Sequence, residues 1–112
     1  MDSSEKQFPP QLFKDIYNQA RELGIRRTAH AGEEGPASFI RDAIDVLDVG
    51  RIDHGIKLRD DPDLLKRLAA SETLLTVCPW SNVLLQCVNN VAELPIREFL
   101  DAGVQVSCRC WE

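Results

Sequence analysis

The feature that most limits what this chain can fold into is an alternation. Short apolar, partly β-branched runs take turns with stretches of helical periodicity, at intervals of roughly 23 to 31 residues between strand ends. After Pro9-Pro10, the stretch QLFKDIYNQARELG repeats Leu12, Phe13, Ile16, Tyr17, Ala20 and Leu23 at helical spacing, with Gly24 at the stop. IRRTAH then predicts a strand, GEEGP a turn, and Pro36 a first helical position ahead of Phe39, Ile40, Ala43, Ile44 and Leu47. Val49 to Ile52 is the next strand, ending in Asp53-His54-Gly55. Asp60-Asp61-Pro62 predicts an Asp-capped helix with Leu64, Leu65, Leu68 and Ala69 inward. Thr73 to Cys78 is an almost unbroken apolar run, as in a strand covered on both faces, and Pro79-Trp80-Ser81-Asn82 breaks it. A helix from about Pro95 carries Ile96, Phe99 and Leu100 to Ala102-Gly103, and Val104 to Cys108 is a last strand.

Four such units predict an α/β protein with parallel strands, either part of a (β/α)₈ barrel or a small doubly wound sheet. A whole barrel takes about 250 residues, and this chain has 112, so the barrel reading predicts a partial (β/α)₈ barrel of about four βα units. Half a barrel has two sheet edges without neighbours, which predicts self-association through them.

The reactive-looking residues fall where strands leave for helices. His30 and Glu33 follow the first strand, Asp53-His54 the second, and Cys78-Pro79-Trp80-Ser81-Asn82 the third. In a barrel these positions share one rim, and in a doubly wound sheet they share the carboxyl edge. A histidine there suits zinc, a nearby glutamate suits proton transfer, and a second histidine suits holding a nucleophile or stabilising charge. The same residues also have a structural reading. Glu33 and Glu34 favour the start of the helix near Pro36 through its dipole, and His54 before a glycine fits a left-handed turn. Cys108 and Cys110 form a C-R-C pair without the second pair that zinc spacing calls for.

Composition enters by exclusion. A net charge of -5 without a basic cluster argues against nucleic acid and anionic membranes as partners. No apolar run approaches the ~20 residues of a membrane span, and MDSSEKQFPP has no signal-peptide core. The expected setting is the cytoplasm, with the nucleus the other compartment open to such a chain.

Three motifs then appear in order: HAGEEG at His30–Gly35, RIDHG at Arg51–Gly55 and CPWSN at Cys78–Asn82. With the flanking TAHAGEEGPASFIRDAIDVLDVGRIDHGIKL, LLTVCPWSNVLLQCV and ELPIREFLDAGVQVS, the chain closely resembles the adenosine and adenine deaminase family, fungal adenine branch, from about Phe8 to Ser107. The resemblance implies a zinc-dependent barrel that hydrolyses the 6-amino group of adenine to hypoxanthine and ammonia in purine salvage. It implies His30 as a zinc ligand, Glu33 as the acid that protonates the purine ring nitrogen, and His54 as the residue that orients the attacking water. Trp80 departs from the leucine usual in the adenine branch and matches the tryptophan common in the adenosine branch.

Two other departures concern zinc. The family's HxH strand, which gives two ligands, has no counterpart, and its closing Ser-x-Asn-Ser-Asp-Asp-Pro motif meets Ser107-Cys108-Arg109-Cys110-Trp111-Glu112. Trp111 stands where the zinc-binding aspartate belongs and Glu112 where the base-holding one belongs. The expectation is a partial domain over residues 1–112, resembling a C-terminal-half fragment truncated at both ends and inactive alone. The rivals are an adenosine deaminase, a non-catalytic interaction module and a product without a stable fold.

Overall fold

The computed structural model describes residues 5–109. Four strands, β1 (Thr28–Ala31), β2 (Arg51–His54), β3 (Leu74–Val77) and β4 (Gln105–Cys108), form one parallel sheet in the order β1-β2-β3-β4. Sequential order is the arrangement of an arc of a (β/α) barrel. A doubly wound sheet reverses its order at a switch point, so that alternative is excluded for the described strands.

The helices are α1 (Lys14–Glu22), α2 (Ala37–Asp45), α3 (Pro62–Ala69), α4 (Pro79–Leu84) and α5 (Ile96–Ala102), with 3-10 turns at Pro10–Phe13, Ile56–Asp60 and Val91–Glu93. The α3 start follows local chemistry. The Asp61 side chain accepts the Leu64 N–H at 3.0 Å, and Pro62 occupies the first turn, where no N–H is needed. Gly103, at φ +91°, closes α5 in the left-handed conformation that glycine adopts without penalty.

The main core lies between the sheet and its helices. Ala29, Ala31, Ile52 and Leu75 from the strands meet Ile40, Ala43, Leu64, Leu68 and Phe99 from α2, α3 and α5. Burying apolar side chains there drives the sheet and helices together, at about 25 cal/mol per Å² removed from water.

Several sequence expectations shift. β2 begins and ends two residues later than expected, so Asp53 and His54 belong to the strand itself. Pro36 caps α2 from outside: its φ of -71° suits a helix, but its extended ψ of 167° leaves Ala37 as the first helical residue. The Pro79–Asn82 segment does not merely break the third strand. It opens α4, since a proline is as well suited to a first helical turn as to a stop. The apolar stripe expected on the first helix divides: Phe13 and Tyr17 pack against the core, whereas Leu12, Ile16 and Leu23 are exposed. Leu100 of α5 is exposed as well. Periodicity identifies an apolar face but not what lies opposite it.

Candidate active site

Side-chain alternation decides what reaches the site. In β1, Ala29 and Ala31 turn into the core, while Thr28 and His30 take the opposite face. The strand register places His30, Asp53, Thr76 and Ser107 side by side across the sheet. Asp53 is the hub of this row. It accepts from the Thr76 hydroxyl in a short bond and from Thr28 Oγ1 at 3.3 Å, and Arg51 Nε lies 3.0 Å away. His30 Nε2 is 3.9 Å from the same carboxylate.

His54 sits one position beyond Asp53, where strict alternation would turn it away from His30. Its φ of 71° is the left-handed conformation expected before Gly55, and it brings the imidazole beside His30, ring centroids 4.8 Å apart. A non-glycine residue at such an angle is uncommon, and a site that retains one holds it with the surrounding structure.

A third strand end supplies the holder. Asn82 of α4, 0% exposed, extends Nδ2 to Glu33 Oε1 at 2.9 Å and to His54 Nδ1 at 3.1 Å. With Nδ2 donating one hydrogen to each acceptor, Nδ1 accepts and the neutral ring holds its proton on Nε2; this tautomer is assigned from the hydrogen-bond pattern. Asn82 Oδ1 is buried with no hydrogen-bond partner among the described residues.

Glu33 and His54 approach to 3.0 Å, which looks like an ion pair but is not one at neutral pH. Burial, then the negative charges of Glu5 and Glu34, raise the Glu33 carboxyl from 4.5 to about 7, against an opposing hydrogen bond from Asn82. Burial, then the neighbouring His30, lower His54 from 6.5 to about 4, with Asp53 opposing. Near pH 7, Glu33 is therefore about half protonated and His54 is neutral. A carboxyl that holds a proton at neutral pH is suited to donating it.

Glu33 stands on the Gly32–Gly35 turn. Gly32 has φ +70°, and a Cβ there would lie 2.5 Å from Ile40 Cδ1, so both the angle and the space require glycine. Neither Glu33 nor Glu34 lies in the first turn of α2, so the helix-start role expected of them is not the one they fill. The backbone N–H groups of this turn instead point to Glu5, a residue with no motif around it in the sequence.

The three sequence-predicted residues thus come together: Asn82, whose bridging role the sequence did not reveal, joins Glu33 to His54, and the His54 ring lies against His30. The donor set does not amount to a metal cage. No three of His, Cys, Asp and Glu converge to hold an ion among the described residues. His30 brings one imidazole, and the nearest carboxylate, Asp53, is committed to Thr76, Thr28 and Arg51. A catalytic zinc takes three protein ligands, so these residues alone do not fit one. Cys108 is exposed at the end of β4, and Cys110, Trp111 and Glu112 lie outside the described residues.

Comparison with known proteins gives consistent results. A family model described as adenosine deaminase matches residues 1–110. An adenine deaminase of Schizosaccharomyces pombe is 57% identical over 98% of this chain and 30% of its own length. One from Saccharomyces cerevisiae is 54% identical over 96% of this chain and 31% of its own. The crystal structure of adenine deaminase from Arthrobacter aurescens superposes with a TM-score of 0.92 at 51% identity, covering 96% of this chain and 33% of that one. An amidohydrolase from Burkholderia ambifaria, crystallised with bound Zn, superposes with a TM-score of 0.87 at 34% identity, covering 97% of this chain and 31% of that one. The chain spans about a third of the length of these relatives.

Proposed function

This chain belongs to the adenosine deaminase family, and we propose that it supplies the proton-handling part of a pocket that hydrolyses adenine to hypoxanthine and ammonia. The observation that carries this reading is the Glu33–Asn82–His54 cluster, in which a carboxyl raised to about 7 stands beside a neutral imidazole at one sheet rim. That relatives of this chain are named adenine deaminase supports adenine as the substrate.

In this reading Glu33 delivers its proton to a purine ring nitrogen while water adds to the adjacent carbon. One proton of that water restores Glu33, and the other passes to the amino group as the C–N bond breaks and C=O forms, giving ammonia and hypoxanthine. Glu33 is suited to this because it is about half protonated at neutral pH and so both gives and takes back a proton there. His54 orients the water through Nε2, since Nδ1 is held by Asn82. Asn82 keeps both groups in register. Its single amide fixes the ring's tautomer and the carboxyl's position together.

Zinc enters this proposal only through His30, which would give one imidazole to the kind of ion bound in the Burkholderia neighbour. The described residues do not complete that coordination. Residues 1–112 are then one partial deaminase domain, without turnover when purified alone. The test is ammonia release from adenine together with bound zinc, measured on that chain. The expected result is neither turnover nor stoichiometric zinc. Turnover with one zinc per chain would refute the reading of an incomplete cage.

A further inference from the structure

Glu5 occupies a position that the proposed chemistry does not use. It is 3% exposed and lies just ahead of the 3-10 turn at Pro10–Phe13, 27 to 30 residues from its partners. Its Oε2 accepts the Gly32 N–H at 2.8 Å, and its Oε1 accepts those of Glu33, Glu34 and Gly35 at 2.6, 2.5 and 2.8 Å. Four consecutive N–H groups aimed at one point make an anion-binding concavity of the kind that cradles phosphates. Four donors call for a group that only accepts, which is what a carboxylate is.

The surroundings fit this ligand closely. A Cβ on Gly35 would lie 3.3 Å from the Glu5 carboxyl carbon and closer still to the Phe39 ring, so glycine leaves the space through which the carboxylate approaches. The neighbouring Lys6 reaches Glu34 at 3.8 Å, so consecutive residues hold the turn by its backbone and by a side chain. A buried carboxylate left without partners would be strongly unfavourable, and charge-assisted bonds to N–H groups are the stronger kind.

We propose that the Gly32–Gly35 turn is an anion nest filled by the chain's own Glu5, and that Glu5 is a positioning residue which sets where the Glu33 carboxyl stands. The nest follows from geometry alone, and only its value to a proton donor rests on the deaminase reading. Without the carboxylate, four N–H groups point at an empty centre and the turn loses the one group that all of them share. Glu33 then leaves Asn82. Emptied of Glu5, the nest is a site for a small carboxylate.

The test uses the 112-residue chain and reads amide signals by NMR, so it does not depend on turnover. In the unaltered chain the amides of Gly32 to Gly35 are expected downfield and protected from exchange. In Glu5→Ala they lose both properties, and the Asn82 side-chain NH2 shifts as Glu33 moves away. The Leu64 amide, capped by Asp61, serves as the control for folding. Sodium formate, against sodium chloride at equal ionic strength, is expected to restore the four amides and the Asn82 signal. Glu5→Gln, equal in size, is the second variant. It presents an NH2 where one oxygen stood, so the Gly32 amide is expected to change most. Amides unaffected by Glu5→Ala, no recovery with formate, or no protected amides in the unaltered chain would each overturn the proposal. Should Glu5→Ala lose the Leu64 control, Glu5→Gln decides: an unchanged Gly32 amide overturns it.

Discussion

The carboxyl ends of β1, β2 and β3 differ sharply from that of β4, although all four strands are four residues long and lie in one parallel sheet. The first three ends are tied together by polar side chains. Asn82 joins the β1 turn to His54 of β2, and Asp53 joins β2 to Thr76 of β3 while also reaching back to Thr28 at the start of β1. The end of β4 has a backbone bond from Arg109 N–H to Val77 O at 2.8 Å, and Cys108 is exposed. Its attachment is ladder and packing, with Phe99 of α5 and Val104 in the main core. Within the described residues, chemistry gathers on three units and the fourth is held as scaffold.

This contrast can be broken at its strongest point. Phe99→Ala removes a ring that is fully buried among Leu64, Leu68 and Val104, and is expected to lower unfolding free energy by about 3–5 kcal/mol in urea. Hydrogen exchange adds the discriminating readout. If β4 depends on packing, the amides of Val106 and Ser107 lose protection first, while those of Gly32 to Gly35 keep theirs. Rim amides opening before β4 would show that the two regions are not separately held.

Asn82→Ala tests the other region. It leaves Glu33 and His54 without their shared donor in a buried place, and such a loss typically costs about 1–3 kcal/mol. The expected pattern is the inverse of the first. Rim amides and the imidazole nitrogen signals of His54 change, and β4 does not. Equal loss of protection at both ends would merge the regions again.

The sequence made these two regions unequally legible. α3 was visible because Asp61 and Pro62 act within one turn of the helix they start. His30, Glu33 and His54 were visible because a strand end followed by a tight turn is a local pattern. Glu5 was not, since its partners are 27 to 30 residues away and nothing near it marks it. The sequence places Asn82 among the reactive-looking residues where the third strand breaks, but its bridging depends on three strand ends meeting. α4 was lost because Pro79 is compatible with either a stop or a start. The 3-10 turn ahead of α1 shows the same limit, as Leu12 and Phe13 are alike in pattern but face different surroundings.

Glu33→Gln sharpens the contrast through pH. The folded state raises the Glu33 carboxyl from 4.5 to about 7, so folding binds a proton in that window and stability falls as pH rises through it. His54 acts oppositely. Its folded value of about 4 against 6.5 means that stability falls as pH drops through that range. The two trends offset between about 4.5 and 6.5, and only Glu33 acts from there to about 7. Glu33→Gln is therefore expected to be more stable than the parent above pH 7, by on the order of 1 kcal/mol after allowing for solvent screening. Thermal unfolding across pH measures this. A parent whose stability does not fall between pH 6.5 and 7.5 relative to the variant would remove the case for a buried neutral acid.

The smallest effect belongs to the fourth unit. Cys108→Ser changes an exposed side chain at the end of an edge strand, and surface positions away from buried networks typically move stability by less than about 0.5 kcal/mol. Its backbone pairing with Val77 is unaffected by the exchange, because the ladder uses main-chain groups. The same serine exchange at Cys78, a buried residue between β3 and α4 whose thiol reaches the Thr76 carbonyl at 3.9 Å, is expected to cost more, since it replaces a buried apolar sulfur with a smaller, strongly hydrated hydroxyl. Urea midpoints of the two variants, measured together, compare one sulfur atom in each region. Equal midpoints would mean that the third strand end is no more constrained than the fourth, and the division drawn from Asn82 and Asp53 would fail.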